Sequence, residues 1–170
     1  NVLEETETIV ESIVLVSIEN IFAGYVVIAD ELKDDAKETI TALHKVGIKN
    51  IMMLSGDKDS ITQKVASELN IEIAKGGLLP EDKLNEVETL KQNPENKIAF
   101  IGDGINDAPV LAASNVGIAM GGLGSDVAIE TADVIIQTDQ PSKVVKAIQI
   151  GRSTRKIVRQ NIGLAFGVKV

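Results

Sequence analysis

From Gly102 to Gly121 the chain reads GDGINDAPVLAASNVGIAMG, and the fold is decided by what stands on either side of its acidic start. The apolar run Lys97 to Ile101 reads as a buried strand, a short helix is expected to end near Ser114, and Val116 to Met120 reads as the next strand. Between the first strand and the helix, Gly102-Asp103-Gly104-Ile105-Asn106-Asp107 packs two carboxylates and an amide into a loop with two glycines. Glycine lets a backbone turn tightly and approach a ligand closely. Two hard oxygen donors at a strand end suit Mg²⁺, which keeps waters and shares its shell with phosphate. A plainer reading stands beside this one: Asp103 and Asp107 turn the chain and cap the helix that follows.

The same unit recurs upstream. Ile48 to Leu54 is strand-like, Ser55-Gly56-Asp57 is a polar loop, and a helix is expected from about Asp59 to Asn70. A small hydroxyl beside a glycine offers O–H and N–H donors to a phosphoryl oxygen, or simply a loop before a helix N-cap. Ile71 to Ala74 is a short strand, and Pro80 to Lys91 a helix opened by proline. Lys83, one turn into that helix, is by itself as readily a solvated surface lysine as a catalytic one. Earlier still, Ile13 to Ile18 and Gly24 to Ala29 are two β-branched strands joined by a turn, and Lys33 to Val46 is a helix stopped by Gly47. Past Gly121 come a glycine-rich loop, a turn of helix near Val127 to Glu130, a strand Val134 to Ile136, and one continuous helix from Ser142. Strands alternating with helices imply an α/β fold, a Rossmann-like parallel sheet with helices on both faces, whose ligand sits at the carboxyl ends of the strands.

The 170 residues suffice for one buried core and are too few for two sizeable domains. Only 2% are aromatic, so there is little material for stacking bases, and the net charge of −8 repels phosphate backbones; no nucleic-acid partner is expected. The charge is unevenly placed. Residues 141–170 hold seven cations and no carboxylate, so residues 1–140 carry −15, the total of −8 less the tail's +7. With no cysteine there is neither disulfide framework nor thiolate chemistry, and a reducing, intracellular setting fits. The first residue is Asn rather than Met, and the chain reads as a piece of a longer one. Its last ten residues are largely apolar, half of what a membrane span needs.

Taken in order, Asp30 after GYVVIA, MLSGD at Met53 to Asp57, PEDK at Pro80 to Lys83, and the GDGIND string resemble the phosphorylation domain of P-type ATPases in the haloacid-dehalogenase superfamily. The continuation Gly122-Leu-Gly-Ser-Asp-Val-Ala-Ile-Glu-Thr-Ala-Asp133 resembles the heavy-metal subgroup, on its zinc/cadmium side. The resemblance implies an ATP-driven heavy-metal export pump in which Asp103 ligates Mg²⁺ and Gly102 and Gly104 let the backbone approach the bound group. It further implies that Asn106 and Asp107 order the phosphoryl group and hold Lys83, which neutralises charge developing on it. Ser55 and Gly56 would bind a phosphoryl oxygen, with Asp57 on the hinge side of that loop. Such roles match phosphoryl transfer, which needs positioning and cationic stabilisation. Residues 1–22 would close a nucleotide-binding domain, 23–140 would form the phosphorylation domain, and 141–170 would be a basic helix entering a truncated membrane span, with its cations on the cytoplasmic flank. ATP, the upstream half of the same polypeptide and its membrane spans are the implied partners, and the cytoplasmic side of a plasma-membrane protein the implied location.

One departure matters. The family's nucleophile opens an Asp-Lys-Thr-Gly-Thr string, and none occurs here, so this chain is expected to lack the strand that carries it and to be inactive alone. A free sheet edge is expected where that strand would lie. Ser55 replaces the more usual Thr and keeps the hydroxyl. Two alternatives remain open: a soluble phosphatase of the same superfamily, and a non-catalytic module that binds Mg²⁺, nucleotide or a partner. His44 is expected at the surface rather than on a metal, the strand residues Met52, Met53 and Met120 in the core, and Gly76-Gly77 in an ordinary turn.

Overall fold

The computed structural model describes residues 12–28, 31–102, 106–121 and 130–168. Seven strands and five helices follow in the order β1 (Ser12–Ile18), β2 (Ile21–Ile28), α1 (Ala36–Lys45), β3 (Met52–Leu54), α2 (Asp59–Leu69), β4 (Ile73–Lys75), α3 (Pro80–Lys91), β5 (Ala99–Gly102), α4 (Ala108–Ala113), β6 (Val116–Met120), β7 (Val134–Ile136) and α5 (Ser142–Gly167). The alternation of strand and helix expected from residue 33 onward is present. The expected helical turn at Val127 to Glu130 falls almost wholly outside the described residues, as do Asp30, Asp103 and Gly104.

Pairing is parallel wherever strands alternate with helices, but it is divided. β3 pairs with β4, in register Met52 opposite Ile73, while β5, β6 and β7 form a separate three-stranded sheet with Ala99 opposite Val116 and Ile118 opposite Val134. Among the described residues, β3 and β5 each keep one strand edge unpaired. Ile101 on β5 is 40% exposed. β1 and β2 form an antiparallel hairpin that stands apart, with Val14, Leu15, Ile18, Ile21 and Val26 exposed. The hairpin runs as one unit through residue 22, so the expected domain boundary there crosses a paired strand.

The three-stranded sheet is covered on both faces, as alternation along β6 requires. Ile118 packs with Leu43 of α1, Ile136, and Val144 and Val145 of α5; its neighbour Ala119 faces the other way, against Leu111 of α4 and Phe100. Burying each such aliphatic side chain contributes about 1.5–3 kcal/mol, so this two-sided core holds the domain together. Gly117 permits the close approach of α4, because a Cβ there would stand 2.7 Å from the Leu111 carbonyl oxygen. Ile48 and Ile51, leading into β3, join the α1 side of the core. The strand expected from Ile48 starts only at Met52: Ile48 is drawn back onto α1, its N–H donating to Leu43 O and its carbonyl meeting His44 Nδ1. His44 is exposed, and Met120 packs against the core.

α5 is 26 residues long, and its first two turns belong to the core through Val144, Val145 and Ile148. Among the described residues no helix is long and apolar enough to cross a membrane.

Candidate functional site

The loop after β5 delivers Asp107 to the N-cap of α4, where Val110 N–H and Leu111 N–H both donate to its carbonyl. Its carboxylate makes no capping hydrogen bond. Instead Asp107 Oδ1 accepts from Lys83 Nζ at 2.9 Å, with the two side chains only 12% and 16% exposed. Asp107 thus occupies a cap position while its charge is spent on a lysine 24 residues upstream. Lys83 is largely buried and ion-paired rather than solvated. A largely buried pair of this kind is held by its geometry, and removing one partner leaves an uncompensated charge.

Gly102 is required by the same carboxylate. A Cβ at this position would lie 2.8 Å from Asp107 Oδ2 and 3.1 Å from the Phe100 ring, so any side chain would displace one of them. Asn106 is exposed next to the pair. Among the described residues no group of three or more His, Cys, Asp or Glu could hold a metal ion.

Lys83 is brought to Asp107 by the way α3 is seated. Pro80 opens the helix, Asp82 Oδ2 accepts from Leu79 N–H at 2.9 Å, and Lys75 at the end of β4 pairs with Glu86 at 2.6 Å. α3 then packs on α4, with Lys91 donating to the Ala113 carbonyl and Val87 buried. The loop after β3 joins this corner through the residues just before α3. Leu78 N–H donates to Ser55 O, and Gly56 lies against the Leu78 carbonyl. Ser55, Gly56, Lys83 and Asp107 are thus linked through one short connection.

Within the Ser55 loop the hydroxyl donates to Asp57 Oδ2 at 2.7 Å and accepts from Asp57 N–H at 3.1 Å. Asp57 holds the Ser55 hydroxyl in this structure, and the α2 N-cap is Lys58, without a side-chain cap bond. To donate to a phosphoryl oxygen, Ser55 must turn away from Asp57.

Two features escape a reading of the sequence. Gly76, expected in an ordinary turn, crosses the start of α2 so closely that a Cβ would stand 2.5 Å from Asp59 Cα, and its N–H donates to Asp59 Oδ1 at 3.0 Å. The only hint was the glycine pair itself. Elsewhere, Asp35 Oδ2 accepts from Ser142 N–H at 2.9 Å, and Lys33 pairs with Asp139. Hydrogen bonds from the Ser142 side chain and backbone hold the Asp35 carboxyl below its usual value. No local pattern connects residues more than a hundred positions apart. A shallow groove of about 470 Å³ lies away from the Lys83 corner, between β7 and α5, lined by Ile136, Thr138, Lys143, Lys146 and Ile150; none of the candidate residues lines it.

Comparison with known proteins agrees with this architecture. The family model of haloacid dehalogenase-like hydrolases matches residues 2–115. A zinc-transporting ATPase of Synechocystis is 48% identical over 166 residues, which is 97% of this chain and 23% of that protein. A cadmium, zinc and cobalt-transporting ATPase of Bacillus subtilis is 49% identical over 160 residues, again covering 23% of its length. The crystal structure of a zinc-transporting PIB-type ATPase in the E2.Pi state superposes with a TM-score of 0.80 at 38% identity, over 98% of this chain and 27% of that one. The chain therefore spans about a quarter of the length of these relatives. With parallel strands, helices on both faces and an acidic loop at a strand end, it belongs to the haloacid dehalogenase-like hydrolases, and its curated relatives among them are zinc- and cadmium-transporting ATPases.

Proposed function

We propose that this chain supplies the Mg²⁺- and phosphoryl-binding half of the phosphorylation domain in an ATP-driven zinc/cadmium-type export pump. The observation that carries the reading is the Lys83–Asp107 pair at 2.9 Å, formed at the acidic loop and connected to the Ser55–Gly56 loop through the backbone of Leu78 and Leu79. Phosphoryl transfer spreads negative charge over equatorial oxygens, and a fixed, partly desolvated ammonium is suited to offset it. Asp107 holds that ammonium in place. In this reading Ser55 Oγ, once released from Asp57, and the Gly56 N–H would donate to a second oxygen. Asn106, exposed at the loop, orders the group from the other side, and Gly102 clears room for the Asp107 carboxylate.

Asp103 is the residue expected to hold Mg²⁺. The donors in this loop, Asp103, Asn106 and Asp107, are hard oxygens, which fits a metal that fills its shell with water and phosphate. Bound there, Mg²⁺ would offset phosphoryl charge together with Lys83. The nucleophile belongs to a strand absent from this chain. Each of β3 and β5 keeps an unpaired edge among the described residues, and a strand supplied by the upstream part of the parent polypeptide would pair there. The exposed apolar hairpin β1–β2 would join the nucleotide-binding domain, and α5 would lead toward the membrane from the cytoplasmic side.

The reading is tested by joining this chain in frame behind the matching upstream segment of the Synechocystis relative and incubating it with labelled ATP and Mg²⁺. An acid-stable, hydroxylamine-sensitive phosphoprotein is expected, lost with EDTA and in Lys83→Ala. The isolated chain is expected to release no phosphate from ATP or acetyl phosphate. Steady release by the isolated chain, abolished by Asp103→Ala, would instead mark it as a self-sufficient phosphatase.

A further inference from the structure

Lys83 has a rival for its partner on its own helix. Side chains that meet along a helix stand three or four positions apart, and for Lys83 these are Leu79, Pro80, Glu86 and Val87. Glu86 is the one carboxylate among them. Yet Lys83 Nζ goes to Asp107 Oδ1 at 2.9 Å, and Glu86 Oε1 takes Lys75 Nζ at 2.6 Å instead. Two cations and two anions are sorted into two pairs, one largely buried and one nearer the surface.

α3 does not depend on this sorting for its seat. Pro80 and the Asp82 bond to Leu79 N–H fix its start, Val87 is buried, and Lys91 donates to the Ala113 carbonyl. The Lys75–Glu86 pair, with side chains 44% and 28% exposed, adds little to stability. Its effect falls on where the Lys83 charge goes. An ammonium on a flexible four-carbon stem can swing between anions within reach, and a carboxylate left without a partner at i+3 would draw it off the acidic loop. Lys75 is also tied to the other arm of the site: its carbonyl accepts from Ser55 N–H at 3.0 Å, and it stands opposite Leu54 in the β3–β4 register. One residue therefore holds both the backbone of the Ser55 loop and the rival of Asp107.

We infer that Lys75 is a positioning residue that keeps the Lys83 ammonium on Asp107 by occupying Glu86. It acts through Glu86 and touches no reacting group. The inference rests on the pump reading for its consequence in phosphoryl transfer, but not for the pairing itself, which the isolated chain displays.

The test is a set of three variants, Lys75→Met, Glu86→Gln and the two together, each read in two ways. In the isolated chain, isotope-labelled at lysine Nζ, the Lys83 ammonium signal is followed in nitrogen–proton correlation spectra and identified by its loss in Lys83→Arg. It is expected to move in Lys75→Met, to stay in Glu86→Gln, and to return to its place in the double variant. In the polypeptide joined to its upstream segment, phosphoprotein formation from ATP is expected to slow about fivefold in Lys75→Met and to recover to within about twofold in the double variant, as the wrong charged partner is gained and then removed. Recovery on removing the second charge is what a bracing role cannot give, since a pair that merely braced α3 is broken in all three variants. An unmoved Lys83 signal in Lys75→Met, a loss in Glu86→Gln equal to that in Lys75→Met, or a double variant no better than Lys75→Met would overturn the inference. If the joined polypeptide forms no phosphoprotein at all, the pump reading fails, and the spectra of the isolated chain decide the pairing. If Lys75→Met does not fold, Lys75→Gln takes its place under the same criteria, with Lys75→Arg, which keeps the charge, expected to match the unaltered chain.

Discussion

The two half-sheets differ in how finished they are. In β5–β6–β7 the central strand buries Ile118 and Ala119 to opposite faces, and helices close both sides. In β3–β4 every described strand residue is half-buried or exposed. Both halves are built from the same strand–loop–helix unit, so the difference lies in neighbours rather than in composition. One half has a strand on each side of its centre, and the other pairs only two strands. The packing of α3 on α4 and the Lys83–Asp107 pair join the helix after β4 to the loop and helix after β5.

Removing core from the finished half should have the largest effect. Leu111→Ala, at a residue only 1% exposed, is expected to cost about 3 kcal/mol by urea unfolding, in the range for large-to-small core changes. Met53→Ala in half-buried β3 should cost about 1 kcal/mol, and a loss equal to that of Leu111→Ala would erase the distinction between the halves. Next comes the joint between them. Lys83→Ala is expected to lower stability by about 1–3 kcal/mol, since it strands the Asp107 carboxylate in a largely buried position. Gly102→Ala should cost about 1–2 kcal/mol through overpacking against that carboxylate, and the double change should cost less than the sum because both act on Asp107.

The smallest effect concerns the clasp between Asp35 and α5. Because the folded carboxyl titrates below its usual value, its contribution is complete above that value and is lost as pH falls through the lowered one. Asp35→Asn should therefore flatten the acid limb of the unfolding curve below about pH 4 while leaving the curve unchanged in shape near neutrality. An acid limb that is unaltered in the variant would show that the clasp adds nothing.

Much of this was legible in the sequence because each part is local. The GDGIND loop declares itself by packing acids and glycines after an apolar run, and the strand–helix alternation follows from periodicity. The cations of α5 are visible on inspection, and the core side of its first turns follows from Val144, Val145 and Ile148. What stayed hidden is the pairing between distant polar residues. Lys83 on its own helix is an ordinary lysine, and only the fold, or the family resemblance, brings it to Asp107. The same holds for Asp35 and Ser142. The division of the parallel strands into two sheets leaves no trace in the alternation, which reads identically for one sheet or two. The missing Asp-Lys-Thr-Gly-Thr string was the one signal, and it came from resemblance.

The most direct test of the account is amide hydrogen exchange at β3 and β5, compared with β6, in the isolated chain and in the polypeptide joined to its upstream segment. The account expects β3 and β5 to exchange faster than β6 in the isolated chain and to slow to its level once joined, as a strand fills the space between them. Protection of β3 and β5 equal to that of β6 in the isolated chain, or unchanged on joining, would contradict it.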